Sequence, residues 1–185
     1  MKILIFEGIA TSGKSTVISG LKEVLPGLNI EVVGESETHI PIMKEKADKH
    51  IAFFESLINK LIANKPDLLI FDRLYLTQAF RAKCSINDYA EIEKLLSKYS
   101  PVTIFLKVDE SAIASRISKA AEHRRSDYFA SRGESSEEIA QYYIDQQRNQ
   151  LKLLEQSKLP CKIINTTEHS YEKVIKEINT LVNEK

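Results

Sequence analysis

The feature that most constrains this chain is Gly8-Ile9-Ala10-Thr11-Ser12-Gly13-Lys14-Ser15, set directly behind the apolar run Ile3-Leu4-Ile5-Phe6. It satisfies G-x-x-x-x-G-K-[ST], a pattern that requires a strand before it and a helix after it. The helix is announced by Val17, Ile18, Leu21, Val24 and Leu25, a stripe of helical period ended by Pro26-Gly27. Glycine opens backbone conformations closed to other residues. The N–H groups between Gly8 and Thr16, those of Thr11, Ser12, Gly13, Lys14 and Ser15 included, then converge on a phosphate at the positive end of a helix. Lys14 is placed to reach β- and γ-phosphate oxygens, and the Ser15 hydroxyl to ligate Mg²⁺. The expected cofactors are therefore ATP and Mg²⁺.

Five short, β-branched apolar runs punctuate the chain: Ile3–Phe6, Ile30–Val33, Leu68–Phe71, Thr103–Val108 and Lys162–Ile164. Near-continuous apolar runs suit strands covered on both faces. Between them fall stretches of helical period: 42–64, one beginning near Tyr75, 89–99, 136–157 and 171–182. Strand and helix in alternation give a parallel sheet with right-handed crossovers, an α/β layered fold. With 185 residues and no low-complexity linker, residues 1–185 read as a single domain. His123–Ser135 has no clear period and reads as a mobile basic loop within a lid segment at about 116–135.

Composition narrows the function classes. The 26 basic residues balance 26 acidic ones, so the excess expected of a nucleic-acid binder is missing. The two cysteines form no metal or redox motif and suit reduced thiols in the cytoplasm. No apolar run reaches membrane-spanning length, and Glu7 ends the first one too early for a signal peptide.

Three further groups carry candidate chemistry. Asp72 ends the apolar run Leu68-Leu69-Ile70-Phe71, where an ionised carboxylate is costly without a partner. It would face the Mg²⁺ shell, and Arg73 beside it would meet the transferred phosphoryl group or simply pair with Asp72. Arg116, Lys119, Arg124 and Arg125 supply a lid that closes over the phosphates, with Arg116 alternatively stacked on adenine. Glu35 ends the second strand across from Lys14, where it would accept a proton from an attacking hydroxyl, with Glu37 as the alternative base. Phe53, Phe54, Tyr75 and Gln78 are candidates for an acceptor pocket, the two phenylalanines equally for the core.

These residues resemble a known family. FEGIATSGKST resembles the phosphate-binding loop of thymidylate kinases, whose deoxynucleoside kinase relatives share the architecture. FDRLYLTQAF resembles the family's third-strand DR motif, and DESAIASRISKAAEHRR the segment leading into its lid. The resemblance implies a five-stranded parallel sheet in order 2-3-1-4-5 flanked by helices, with the acceptor under the second strand and the lid. It implies Lys14 and Arg73 at the reacting phosphate and Asp72 at the metal shell or the acceptor hydroxyl; Arg124, from the basic lid run, is the further catalytic candidate. It also implies Ser15 and Asp72 at Mg²⁺, Arg116 and Asn165 near the adenine, and a homodimer, as is common among related kinases. The departures bear on the acceptor. Thymidylate kinases carry Arg-Glu-Pro-Gly-Gly after strand two, where this chain has Gly34-Glu35-Ser36-Glu37-Thr38. Deoxynucleoside kinases place a Glu at this strand end, beside the hydroxyl they phosphorylate, but carry Glu-Arg-Ser where this chain has Asp72-Arg73-Leu74. A strand end rich in carboxylate favours a neutral hydroxyl acceptor over a monophosphate dianion. The expectation is an ATP-dependent nucleoside-type kinase. A nucleoside monophosphate kinase gripping its acceptor through Arg73, Arg81 and the lid is the second reading, and an NTP-binding regulatory module the third. A GTPase would show N-K-x-D, and Asn59-Lys60-Leu61-Ile62 lacks the Asp.

Overall fold

The structure is a computed structural model that describes residues 1–43, 45, 47–122, 129–168 and 170–183. Its centre is a five-stranded sheet of β1 (Lys2–Glu7), β2 (Ile30–Val33), β3 (Leu68–Asp72), β4 (Pro101–Lys107) and β5 (Cys161–Asn165), in order β2-β3-β1-β4-β5. All four pairings are parallel. The helices are α1 (Lys14–Val24), α2 (Glu35–Thr38), α3 (Ala47–Ala63), α4 (Tyr75–Ala82), α5 (Ala90–Leu96), α6 (Glu110–Ala120), α7 (Ser136–Leu154) and α8 (Tyr171–Asn183).

The apolar runs work by strand alternation. Ile3 and Ile5 of β1, with Leu69 and Phe71 of β3, face a core closed by Phe54 and Ile58 of α3 and Tyr75 of α4. Leu4, Phe6, Leu68 and Ile70 face the opposite core, closed by Val17 and Leu21 of α1 and by Val174 and Ile178 of α8. A third cluster joins Ile9 and Ala10 to Ile113 and Ile117 of α6, Phe129, and Tyr143 of α7. Coverage on both faces holds for residues 3–7 of β1 and for the first four residues of β3, but not at the rims: Ile163 of β5 is 51% exposed.

Three local expectations change. The stripe over 42–64 yields a helix only from Ala47, because Ile40–Ile42, with a proline at its start, forms a 3₁₀ turn. The period over 89–99 splits into α5 and a 3₁₀ turn at Ser97–Tyr99. Glu35 does not end β2, which stops at Val33; with Gly34 extended, Glu35 opens the single turn of α2.

The register positions the site. Phe6 of β1 lies opposite Asp72 of β3, and Val33 of β2 opposite Phe71. The carboxyl ends of three neighbouring strands therefore deliver Gly8, Glu35, Asp72 and Arg73 to one edge of the sheet, where α/β folds place their ligands.

Candidate active site

The loop between β1 and α1 is held in the conformation its sequence announces. Gly8, Thr11 and Gly13 all have positive φ, at 134°, 67° and 92°. A side chain at Gly8 would press on the Leu106 carbonyl, and one at Gly13 would collide with the Tyr171 ring. Lys14 folds back into the loop, donating to the carbonyls of Gly8 (3.0 Å) and Ile9 (2.8 Å). Burial, aided by the Arg73 charge, pulls its ammonium down to about 7 against the partial offset of Asp72, Glu35 and Glu7.

Arg73 sits directly after β3 in a left-handed conformation (φ 72°), unusual for a residue with a side chain. Its N–H donates to the Phe6 carbonyl at 2.9 Å, which fixes the bend. The side chain is buried, and Nε lies 2.5 Å from Glu35 Oε1. Arg81 of α4 reaches Glu35 Oε2 at 3.0 Å. Burial pushes the Glu35 carboxyl upward, yet the two guanidinium groups outweigh it and hold the group down at about 2. Glu37, the alternative base, instead caps α2 by accepting from the Gly34 N–H.

Glu7 is a site residue that sequence reasoning passed over. It is wholly buried, accepting from the N–H groups of Leu74 (2.9 Å) and Thr77 (3.3 Å) and from the Thr77 hydroxyl (2.5 Å). Burial raises its carboxyl despite these bonds and the nearby Arg73. Thr77 in turn accepts from Gln150 of α7 at 3.0 Å, so one polar web runs from α7 behind the loop to Arg73. The signal was available: an ionisable residue ending an apolar strand, the pattern that singled out Asp72.

Arg116 of α6 donates to the carbonyls of Thr11, Thr166 and Thr167 and to the Thr166 hydroxyl. Thr166 also donates to the Ser12 carbonyl at 3.1 Å. Asn165 bridges Asp109 (2.8 Å) and the Thr167 N–H (2.9 Å). The loop after β5 is thus tied to the loop after β1 through Arg116. Arg124 and Arg125 lie outside the described residues. Of the predicted loop, Phe129 is buried against Tyr143, with ring centroids 5.8 Å apart, and Arg132 lies over the Tyr142 ring.

Two clefts open at this edge. The first, about 590 Å³, is lined by Thr11, Gly13, Lys14, Ser15, Thr16, Asp72 and Arg73, with Tyr171 and Phe129. The second, about 1110 Å³, lies between α2, α4 and α7 and includes His39, Met43, Phe80, Arg81 and Tyr142. Glu35 lines both. Of the candidate pocket residues, Phe54 is core, and Tyr75 turns its hydroxyl to Glu93 (2.9 Å) and Ser157 (3.0 Å); neither lines a cleft.

The donor set suits Mg²⁺. Oδ1 of Asp72 is buried with no hydrogen-bond partner, and the Ser15 side chain lines the same cleft. Among the described residues no three His, Cys, Asp or Glu side chains cluster as a cage. That matches an ion held by one or two protein oxygens plus substrate phosphates.

No protein-family model matches the chain, and no curated protein matches it. Solved structures do match. The chain is similar to YorR from Bacillus subtilis, solved in complex with phosphorylated GDP, with a TM-score of 0.64 at 20% identity over 97% of this chain and 95% of that one. It is similar to deoxyadenosine kinase from M. mycoides with bound dATP, with a TM-score of 0.57 at 19% identity and full coverage of both chains (100% each). It is also similar to thymidylate kinase from Candida albicans, with a TM-score of 0.56 at 17% identity over 97% and 90% of the two chains. What these likenesses establish is the fold: a P-loop kinase fold with its sheet in order 2-3-1-4-5.

Proposed function

We propose that this chain is an ATP-dependent small-molecule kinase that transfers the γ-phosphoryl group to a hydroxyl of a nucleoside-type acceptor. The observation that carries this reading is the shared wall: a phosphate-binding cleft and a second cleft meet at Glu35. A regulatory NTP switch would not need the second cleft. Similar folds occur in proteins named deoxyadenosine kinase, thymidylate kinase and shikimate kinase, which supports phosphoryl transfer to a small acceptor.

ATP would lie with its triphosphate in the loop of Gly8, Thr11, Ser12, Gly13, Lys14, Ser15 and Thr16. Its adenine would lie toward Arg116 and Asn165. Lys14 then exchanges the Gly8 and Ile9 carbonyls for phosphate oxygens, which restores its full charge. Ser15 and Asp72 would hold Mg²⁺, which supplies charge neutralisation on the phosphates. Arg73, buried at the junction, is aimed to stabilise charge on the phosphoryl group in flight. Glu35 stays ionised at every physiological pH. It uses two of roughly four acceptor positions on Arg73 and Arg81, leaving room to accept the hydrogen bond of an attacking hydroxyl. A loose transition state needs little proton abstraction before transfer, so a carboxyl held near 2 can orient the hydroxyl and take its proton late.

The lid at about 116–135, with Arg124, would close over both clefts and exclude water. No helix among the described residues is long and apolar enough to cross a membrane. We assign the enzyme to the cytoplasm, as a single domain working as a homodimer without nucleic-acid partners.

In a transfer assay with ATP and Mg²⁺, Lys14→Ala is expected to abolish product. Glu35→Gln is expected to lower turnover about 100-fold or more, with ATP affinity retained. Normal turnover by Glu35→Gln on the true acceptor would sink its assignment.

A further inference from the structure

The second cleft holds a polar group that neither phosphoryl transfer nor packing uses. His39 is 1% exposed and belongs to the cleft wall, yet its Nε2 has no hydrogen-bond partner. A buried polar atom left in this way costs stability unless something satisfies it. Its other nitrogen, Nδ1, lies 2.9 Å from Gln78 Oε1.

Behind His39 runs a buried polar chain through Gln78 and His50. His50 Nε2 lies 3.0 Å from the Glu45 carbonyl, which can only accept, so this nitrogen carries the proton. His50 Nδ1 is then an acceptor, and the Tyr89 hydroxyl donates to it at 3.1 Å. Burial raises the Tyr89 hydroxyl, so it keeps the proton it donates. The Gln78 amide oxygen faces His39 Nδ1, and the amide nitrogen lies 3.3 to 3.4 Å from the His50 ring nitrogens. Facing an amide oxygen, which only accepts, His39 Nδ1 donates. Burial and the nearby Arg81 charge also hold the His39 imidazole down at about 3, so it is neutral. A neutral ring protonated on Nδ1 carries a bare acceptor at Nε2.

On the reading of the second cleft as the acceptor site, we infer that His39 is a specificity-determining residue whose Nε2 accepts a hydrogen bond from a second donor on the acceptor molecule. The acceptor is then a compound with a second hydroxyl or an N–H besides its reacting hydroxyl. The His39 N–H bonds to the Glu35 carbonyl at 2.9 Å, so the two residues are one helical turn apart. On a nucleoside both a sugar hydroxyl and an amino or ring N–H of the base meet this description. Gln78 acts as a positioning residue that sets the tautomer.

The test uses matched substrate pairs with the full-length protein: a nucleoside against its 3′-deoxy analogue, and an aminopurine nucleoside against the analogue whose amino group is replaced by hydrogen. The wild type is expected to prefer the donor-bearing member of at least one pair by about tenfold or more in kcat/KM, mainly through KM. In His39→Leu that ratio is expected to fall to near one, with the KM for ATP within about twofold of wild type. A ratio unchanged in His39→Leu for both pairs overturns the inference while leaving the kinase reading intact. Absence of transfer to every nucleoside by the wild type sinks the kinase reading itself. A second measurement does not depend on folding of the variant. The ¹⁵N spectrum of wild-type histidines should show His39 protonated at Nδ1, with its bare Nε2 signal moving upfield on addition of the preferred nucleoside. A proton on Nε2 in the free protein, or no movement on binding, overturns the inference.

Discussion

Lys14 and Glu35 have shifts of opposite consequence. Lys14 is held at about 7 in the folded chain against 10.5 as its ordinary value. Below 7 both folded and unfolded chains hold the proton, and the burial cost on the folded ammonium is complete. Between 7 and 10.5 the unfolded chain holds more protons, so stability rises with pH. Lys14→Met should therefore be more stable than wild type in urea titrations at or below pH 7, with the gap closing toward 10.5; a gap that does not change with pH would contradict this. Glu35 is depressed, from 4.5 to about 2, so its ion pairs stabilise above 4.5 and are lost as pH falls through 2. Glu35→Gln should flatten the acid limb of the stability profile in that window, measured by thermal melts. Residue types at this scale were legible where they break a pattern, as Lys14 and Asp72 do. His39 breaks none: it follows a polar stretch, and only the Gln78 contact from another helix gives it meaning.

At the scale of elements, the strands could be read because buried parallel strands are near-continuous apolar runs. Helix ends could not, since Pro41 and the 3₁₀ turns at Ile40–Ile42 and Ser97–Tyr99 cut patterns whose period runs on. Glu35 was misplaced for the same reason: α2 is a single turn, too short to show period. Helix α7 is pinned to the residue after β4 by Gln147, which accepts from the Val108 N–H at 2.9 Å and donates to its carbonyl at 2.7 Å. No sequence period marks that glutamine. Gln147→Leu strands two buried backbone groups and should cost about 1–3 kcal/mol for each, read from urea unfolding. Phe129→Ala removes the aromatic that anchors residues 129–135 on Tyr143 and should cost about 3–5 kcal/mol.

For the whole molecule, strand order was legible through the family resemblance and the loop motif together, and composition alone would have stopped at an α/β domain. What sequence could not supply was the meeting of two clefts at Glu35, because residues 35, 39, 73, 81 and 142 come together only through the crossovers. Binding should be visible as stability. ATP with Mg²⁺ at about 100 times its Kd should add about 2.7 kcal/mol to wild type and nothing to Lys14→Ala. The central claim is that the phosphoryl group crosses Glu35 from the first cleft to the second. Its most direct test is to incubate the purified protein with γ-labelled ATP, Mg²⁺ and a panel of nucleosides and their monophosphates, and to identify the labelled product. Label in a nucleoside monophosphate, absent with Lys14→Ala, is the result expected. Label only in a diphosphate, or only in inorganic phosphate, would contradict the account.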